Sequence, residues 1–176
     1  LEEHVMKKMG IAGKRRLKCI HLICACLWVG GAVSLTLMTF LMIPAEKKAV
    51  YGIHHAMKFI DDFIIIPGAM GLLLTGLAYS AFTEWGWFRH RWILAKWIVN
   101  VYGIVFGTFW LGPWVNSLAS MATDIGSAAM SNPVYLHNVD MLRIWGTLQV
   151  STIVFALVIS VLKPFKQRIH AQQRKT

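Results

Sequence analysis

Charge and cysteine are both scarce in this sequence, and each shortage narrows what the chain can be. Only 15% of its 176 residues are charged and 56% are hydrophobic, against roughly 25% charged in an ordinary soluble domain. That is not a soluble composition. The three cysteines, Cys19, Cys24 and Cys26, fall within eight consecutive residues. On a helix Cys24 and Cys26 point to roughly opposite sides, so they neither chelate one metal nor form an easy disulfide. Packed or lipid-facing thiols are expected, with Cys24 one turn from His21. No Cys-x-x-Cys-His element is present, which excludes covalent c-type haem. Phosphate loop, nucleophile elbow, dinucleotide fingerprint and paired catalytic carboxylates are missing as well, and hydrolytic or nucleotide-driven chemistry starts low.

Acidic residues are the rarer sign: eight against eighteen Lys and Arg, a formal net charge of +10. Position decides what that excess means. Residues 1–18 hold six basic and two acidic side chains, and residues 163–176 hold five basic and no acidic ones. The remaining seven basic and six acidic groups leave the body of the chain almost neutral. Basic ends on an apolar body argue against a nucleic-acid partner and for a lipid bilayer.

Four uncharged runs are long enough to cross it: Cys19–Ile43, Phe63–Thr83, Trp97–Thr123 and Ile144–Leu162, of 25, 21, 27 and 19 residues. A helix needs about 20 apolar residues to span ~30 Å of hydrocarbon. None of the runs alternates with period two, which disfavours strands. The predicted fold is therefore all-α, a four-helix transmembrane bundle in a single integral membrane domain over 1–176, with helices near 18–43, 50–83, 91–117 and 139–163. The first run is too long for a signal peptide and lacks a small-residue cleavage site after it, so it is expected to stay as an anchor.

An even number of crossings puts both termini on one side, and the basic tails assign that side to the cytoplasm of a bacterial inner membrane. The middle loop, with Arg89 and Arg91 beside Trp85, Trp87 and Trp92, falls on the same side. Asp124–Asp140 has no Lys or Arg, as an outer loop should; Lys47 and Lys48 are the dissent. Residues 45–62 are expected to extend the second helix outward, and Ser117–Asn138 to form a long outer loop.

An ionisable side chain in hydrocarbon costs ~2.5 to 3.5 kcal/mol, so each one within a span needs a partner or a purpose. His21 in the first helix and Lys96 in the third are two such groups, predicted at nearly equal depth near the inner face. Lys96, Asn100, Gly103 and Gly107 share a helical stripe. His21 shares one with Cys24, Ala25, Trp28 and Ala32; Pro67, Gly68, Gly71, Thr75 and Gly76 mark the second helix, and Asp140, Arg143, Thr147 and Ser151 the fourth. Small faces serve close helix packing, or a slot for a flat ligand. With an imidazole and two cations nearby, haem b is the candidate: His21 ligating iron, Lys96 or Arg143 meeting the propionates.

A second polar group lies toward the outer side: His54, His55, Lys58, Asp61, Asp62, His137, Asp140 and Arg143. Asp61 or Asp62 is placed to pair with Arg143 across the bundle. His54, His55 and His137 could instead hold zinc, copper or a second haem.

The motifs in chain order are His21-Leu-Ile-Cys-Ala-Cys-Leu-Trp28-Val-Gly-Gly31, Ile66-Pro67-Gly68 with Gly76, Arg91-Trp-Ile-Leu-Ala-Lys96, Arg143, and Lys163-Pro164-Phe165. Together they resemble the small integral-membrane protoporphyrinogen IX oxidases of bacteria, the HemJ type, and more loosely the copper-resistance D-type membrane proteins. The resemblance touches all four helices and implies haem b, with His21 and Lys96 as the key polar residues. It departs after the fourth-helix arginine, where this chain reads Arg143-Ile-Trp-Gly-Thr-Leu-Gln in place of an Asn-Glu-x-Pro element. It departs also at Leu41-Met42-Ile43-Pro44, where that family often carries Tyr-His. A shared scaffold and haem site in a divergent relative is what the comparison implies.

Three functions compete: a haem-b membrane protein with a redox role, acting on a porphyrin or the quinone pool; a copper or zinc handling protein; and a cofactor-free membrane subunit. Homo-oligomerisation stays open.

Overall fold

The computed structural model describes residues 9–42, 47–82 and 91–162. The described chain is helical, with no strand among the described residues. Six α-helices follow in order: α1 Ile11–Leu41, α2 Lys47–Ile60, α3 Ile66–Phe82, α4 Arg91–Phe106, α5 Gly112–Asp124 and α6 Pro133–Leu162. They make four membrane-length segments, Ile11–Leu41, Ala49–Phe82, Ile93–Asp124 and Pro133–Leu162. Ile23, Phe63, Leu74, Ile98, Phe155 and Val161 stand more than half exposed along them. Side chains of this kind belong against lipid, and helices close their own backbone hydrogen bonds where water is absent. The four-helix transmembrane bundle is thus observed; the basic tails, the Trp-rich loop over 83–90 and Lys163–Phe165 lie outside the described residues.

The second and third segments are each built from two helices joined by a single wide turn. Asp61–Ile65 and Gly107–Leu111 are π turns, in which Ile66 N donates to Asp61 O and Gly112 N to Gly107 O. Each is followed, after one intervening residue, by a proline, Pro67 and Pro113. A proline inside a helix has no N–H to donate and its ring collides with the carbonyl four residues back. Widening the preceding turn moves that carbonyl aside and lets the segment continue.

Antiparallel packing of α1 against α3 fixes the middle of the bundle. A Cβ on Gly68 would lie 2.8 Å from the Trp28 backbone nitrogen, and one on Gly71 would lie 2.5 Å from Cys24 Sγ. Glycine is needed here for backbone approach, as small residues are at membrane helix contacts generally. The ladder continues through Thr75 at His21 and Tyr79 at Lys14 to Phe82 at Met9. Trp28, Ala32, Ala69 and Ile153 form a small core at mid-height.

The larger core sits where α2, α5 and the start of α6 gather, at the end of the bundle away from Met9. Leu35, Met57, Val115, Leu118, Ala129, Tyr135 and Leu142 pack together there. At ~1.5 Å per residue a helical segment of this length runs about 50 Å, some 20 Å more than the hydrocarbon requires. The excess forms a cap. The outward extension predicted for the second segment is found over Lys47–Ile60 and its π turn.

The long loop predicted over Ser117–Asn138 is not. Val115, Leu118, Ala119 and Ala122 are buried at i, i+3, i+4 and i+7, which keeps α5 helical to Asp124 despite its Ser and Thr content. Gly126, at φ +55°, ends it in the left-handed conformation that glycine tolerates best. A 3₁₀ turn over Gly126–Ser131 leads to Asn132, whose Oδ1 accepts from Val134 N at 2.8 Å, with Pro133 opening α6. The side-chain cap and the N1 proline set that helix start.

Candidate cofactor site

His21 projects from α1 toward α3, where Nδ1 lies 2.7 Å from Thr75 Oγ1. Thr75 has one hydroxyl proton and two carbonyls within reach, Gly71 O at 2.7 Å and Leu72 O at 3.1 Å. With the proton directed there, Thr75 Oγ1 accepts from the imidazole Nδ1–H, and the lone pair of the ring is left on Nε2. A tautomer fixed in this way by a neighbour of the ligand is what metal-binding histidines use. Tyr79 closes one side of the ring edge-on, its centroid 5.6 Å away.

Trp28 and Gly103 place His21 relative to α4. The indole is 3% exposed, and a Cβ on Gly103 would lie 2.7 Å from its Cζ2 and 2.8 Å from its Cη2. The ring therefore occupies the place of a Gly103 side chain and spaces α1 from α4. His21 precedes Trp28 by seven residues and Lys96 precedes Gly103 by seven, each about 10 Å toward the same end of two helices that run in parallel. The matched depth read from sequence is thus found. Lys96 lies within electrostatic range of the His21 ring. Between this level and that of Trp28 and Gly103 is Asn100, whose buried Oδ1 has no hydrogen-bond partner among the described residues.

Gln149 of α6 completes this level, donating from Nε2 to Gly103 O at 3.0 Å while its Oε1 is buried without a partner among the described residues. Sequence periodicity missed it. The inward face of α6 is Tyr135, Asn138, Leu142, Gly146, Gln149 and Ile153, not the predicted Asp140, Arg143, Thr147 and Ser151. Thr147 and Ser151 are exposed, and their hydroxyls bond back to Arg143 O and Thr147 O. A hydroxyl satisfied by its own helix can face lipid, so its polarity does not mark the interior. The usable signal was the glycine: Gly146 meets Thr36 of α1, and Gln149 is one turn further on.

Arg143 does not belong to the His21 site. Its Nε donates to Thr39 O at 3.0 Å and its Nη1 faces Asp140 at 3.5 Å. Thr39 is 18 residues along α1 from His21, about 27 Å at ~1.5 Å per residue. The predicted pairing of Arg143 with Asp61 or Asp62 is replaced by local contacts, since Asp62 pairs with Lys58 at 2.8 Å and Lys58 also donates to Asn116 at 2.6 Å. Asp61 turns to the other π turn, 3.8 Å from a Cβ position on Gly112.

The three outer histidines do not converge either. His54 is buried and Nε2 meets Tyr135 Oη at 2.8 Å; His55 meets Tyr51 O and Thr123; His137 is exposed. Among the described residues no group of three His, Cys, Asp or Glu side chains is placed to hold a metal. Cys24 packs on Gly71, while Cys19 and Cys26 are exposed thiols.

A family model described as predicted integral membrane protein, DUF2269, matches residues 15–167. The chain belongs to the DUF2269 family. No curated protein and no solved structure matches it. In this DUF2269 protein the matched region takes in His21, Thr75, Lys96 and Asn100 together with the cap.

Proposed function

We propose that this protein binds haem b within the membrane and has a redox role, oxidising a porphyrin or exchanging electrons with the quinone pool. The observation that supports it most is the hydrogen-bond relay from His21 Nδ1 through Thr75 to the Gly71 carbonyl. It gives a partly buried imidazole a defined orientation and a lone pair on Nε2, the donor an axial ligand needs.

The other groups at this level fit the same cofactor. Lys96 supplies a cation for a propionate, or a second axial nitrogen. Asn100, one turn from Lys96, brings a side-chain amide whose N–H can donate to a propionate carboxylate. Arg143, at the far end of the bundle, takes no part. Trp28 against Gly103 holds α1 and α4 apart one to two turns from these residues. Haem supplies one-electron chemistry when bound; the protein's share is ligation, burial and charge around it. The likeness of His21 and Lys96 to the HemJ-type pattern supports the assignment, and the basic tails support a bacterial inner membrane with both termini in the cytoplasm.

The test is a reduced-minus-oxidised spectrum of the purified full-length protein, with haem quantified against protein. A b-type spectrum that is lost in His21→Ala is expected. No Soret band in the native preparation or after haem addition, with His21→Ala indistinguishable from wild type, overturns the proposal.

A further inference from the structure

The cap holds a cavity of about 170 Å³ that the haem reading does not use. Met38 of α1 and Met42 just past its end, Met57 of α2 and Met130 of the 3₁₀ turn line it, together with His54. Four of the chain's nine methionines are thus brought to one small space from three separate elements. His54 is 5% exposed; Tyr135 holds its Nε2 at 2.8 Å, and its Nδ1 has no hydrogen-bond partner among the described residues.

Methionine is a common gap-filler in cores, and packing alone would account for the sulfurs. It does not account for the nitrogen. An imidazole nitrogen buried without a partner is destabilising, and apolar thioethers nearby give it no hydrogen bond, so a ligand in the cavity is what would satisfy it. If Nε2–H donates to the Tyr135 oxygen, the ring is fixed and the remaining lone pair sits on Nδ1. One imidazole nitrogen among thioethers is a soft donor set, and thioether sulfur selects Cu(I) among the biological metals.

We propose that this cavity binds one Cu(I) ion through His54 Nδ1 and the thioethers of Met38, Met57 and Met130, with the half-exposed Met42 at its mouth. Arg143 also lines the cavity, tied to Thr39 O and Asp140. A monovalent ion held by neutral soft donors tolerates that cation better than Zn(II) would. Zinc moreover wants thiolates or several imidazoles, which this cavity does not offer. The site is separate from His21, so its fate and that of the haem proposal are independent.

The experiment uses the full-length protein in detergent, anaerobic and with reductant. Cu(I) is titrated against a chromophoric Cu(I) chelator, and X-ray absorption is recorded on protein labelled with selenomethionine. One Cu(I) per chain is expected, with selenium in the copper's first shell and no displacement by Zn(II). Met38→Leu with Met130→Leu, a near-isosteric pair that preserves packing, is expected to weaken Cu(I) at least tenfold. His21→Ala is expected to leave it unchanged. Failure to hold Cu(I) against the chelator, a copper shell without selenium, or unchanged affinity in the double leucine variant overturns the proposal.

Discussion

Gly103 of α4 and Gly107, which opens the π turn after it, lie one turn apart on one membrane segment and share the stripe read from sequence, yet the structure gives them opposite roles. A methyl group on Gly103 would lie 2.7 and 2.8 Å from two Trp28 ring carbons and 2.9 Å from Gln149 Nε2. Ordinary carbon contacts fall near 3.5–4.0 Å, so the indole must retreat by about 1 Å. The ring is rigid and almost wholly buried. Overpacking of this kind costs about 1–3 kcal/mol, offset by the ~0.5–1 kcal/mol that alanine gains over glycine in a helix. A net loss of about 1–2 kcal/mol is expected for Gly103→Ala. At Gly107 nothing lies within 4 Å, and Gly107→Ala should be neutral or stabilising by up to ~1 kcal/mol. Reversible unfolding in mixed detergent micelles measures both. Trp28→Phe combined with Gly103→Ala gives the control, because the smaller ring makes room for the methyl. The pair should couple by ~1 kcal/mol or more. Equal stability of the two alanine variants, or additive effects of Trp28→Phe and Gly103→Ala, would refute the spacer role of Trp28.

Thr75→Val keeps the shape at the α1–α3 contact but removes the acceptor for His21 Nδ1–H. Haem affinity measured by Soret titration should fall about 10–100-fold and Thr75→Ser should restore it; a Val variant that binds like wild type refutes the relay. Lys96→Met should leave the helical content unchanged and alter haem retention or the spectrum, whereas a variant merely more stable than wild type would favour a cofactor-free subunit. Asn132→Ala removes the side-chain cap of α6 and should cost about 1 kcal/mol in the same unfolding assay, with no change in haem spectrum.

Four crossings were legible because uncharged apolar runs of this length belong in a bilayer far more often than in a soluble core, and the equal depth of His21 and Lys96 followed from helix rise alone. Two kinds of information were not legible. Which face of α6 looks inward depended on hydroxyls that bond to their own helix, so Thr147 and Ser151 resembled interior residues while Gln149 passed unnoticed. The second half of the cap, over Ser117–Asn138, was read as a loop, because the Ser, Thr and Ala content of 117–131 resembles one until Val115, Leu118 and Ala122 find α2 and α6 to pack on. Arg143 illustrates a third difficulty. Its charge was visible, but only the α1–α6 register, fixed by Thr36 at Gly146 and Thr39 at Arg143, shows that it stands at the end opposite His21. The methionines around His54 come from three elements far apart in sequence, and no spacing rule brings them together.

The central claim is that His21 supplies the axial nitrogen for haem b. Replacing His21 by glycine and adding free imidazole tests it most directly, because the small molecule can restore a ligand but not a side-chain contact of any other kind. His21→Gly is expected to purify in a folded form without the b-type spectrum, and to regain a low-spin haem spectrum when haem and imidazole are supplied together. A His21→Gly protein that shows the wild-type spectrum without imidazole would contradict the account.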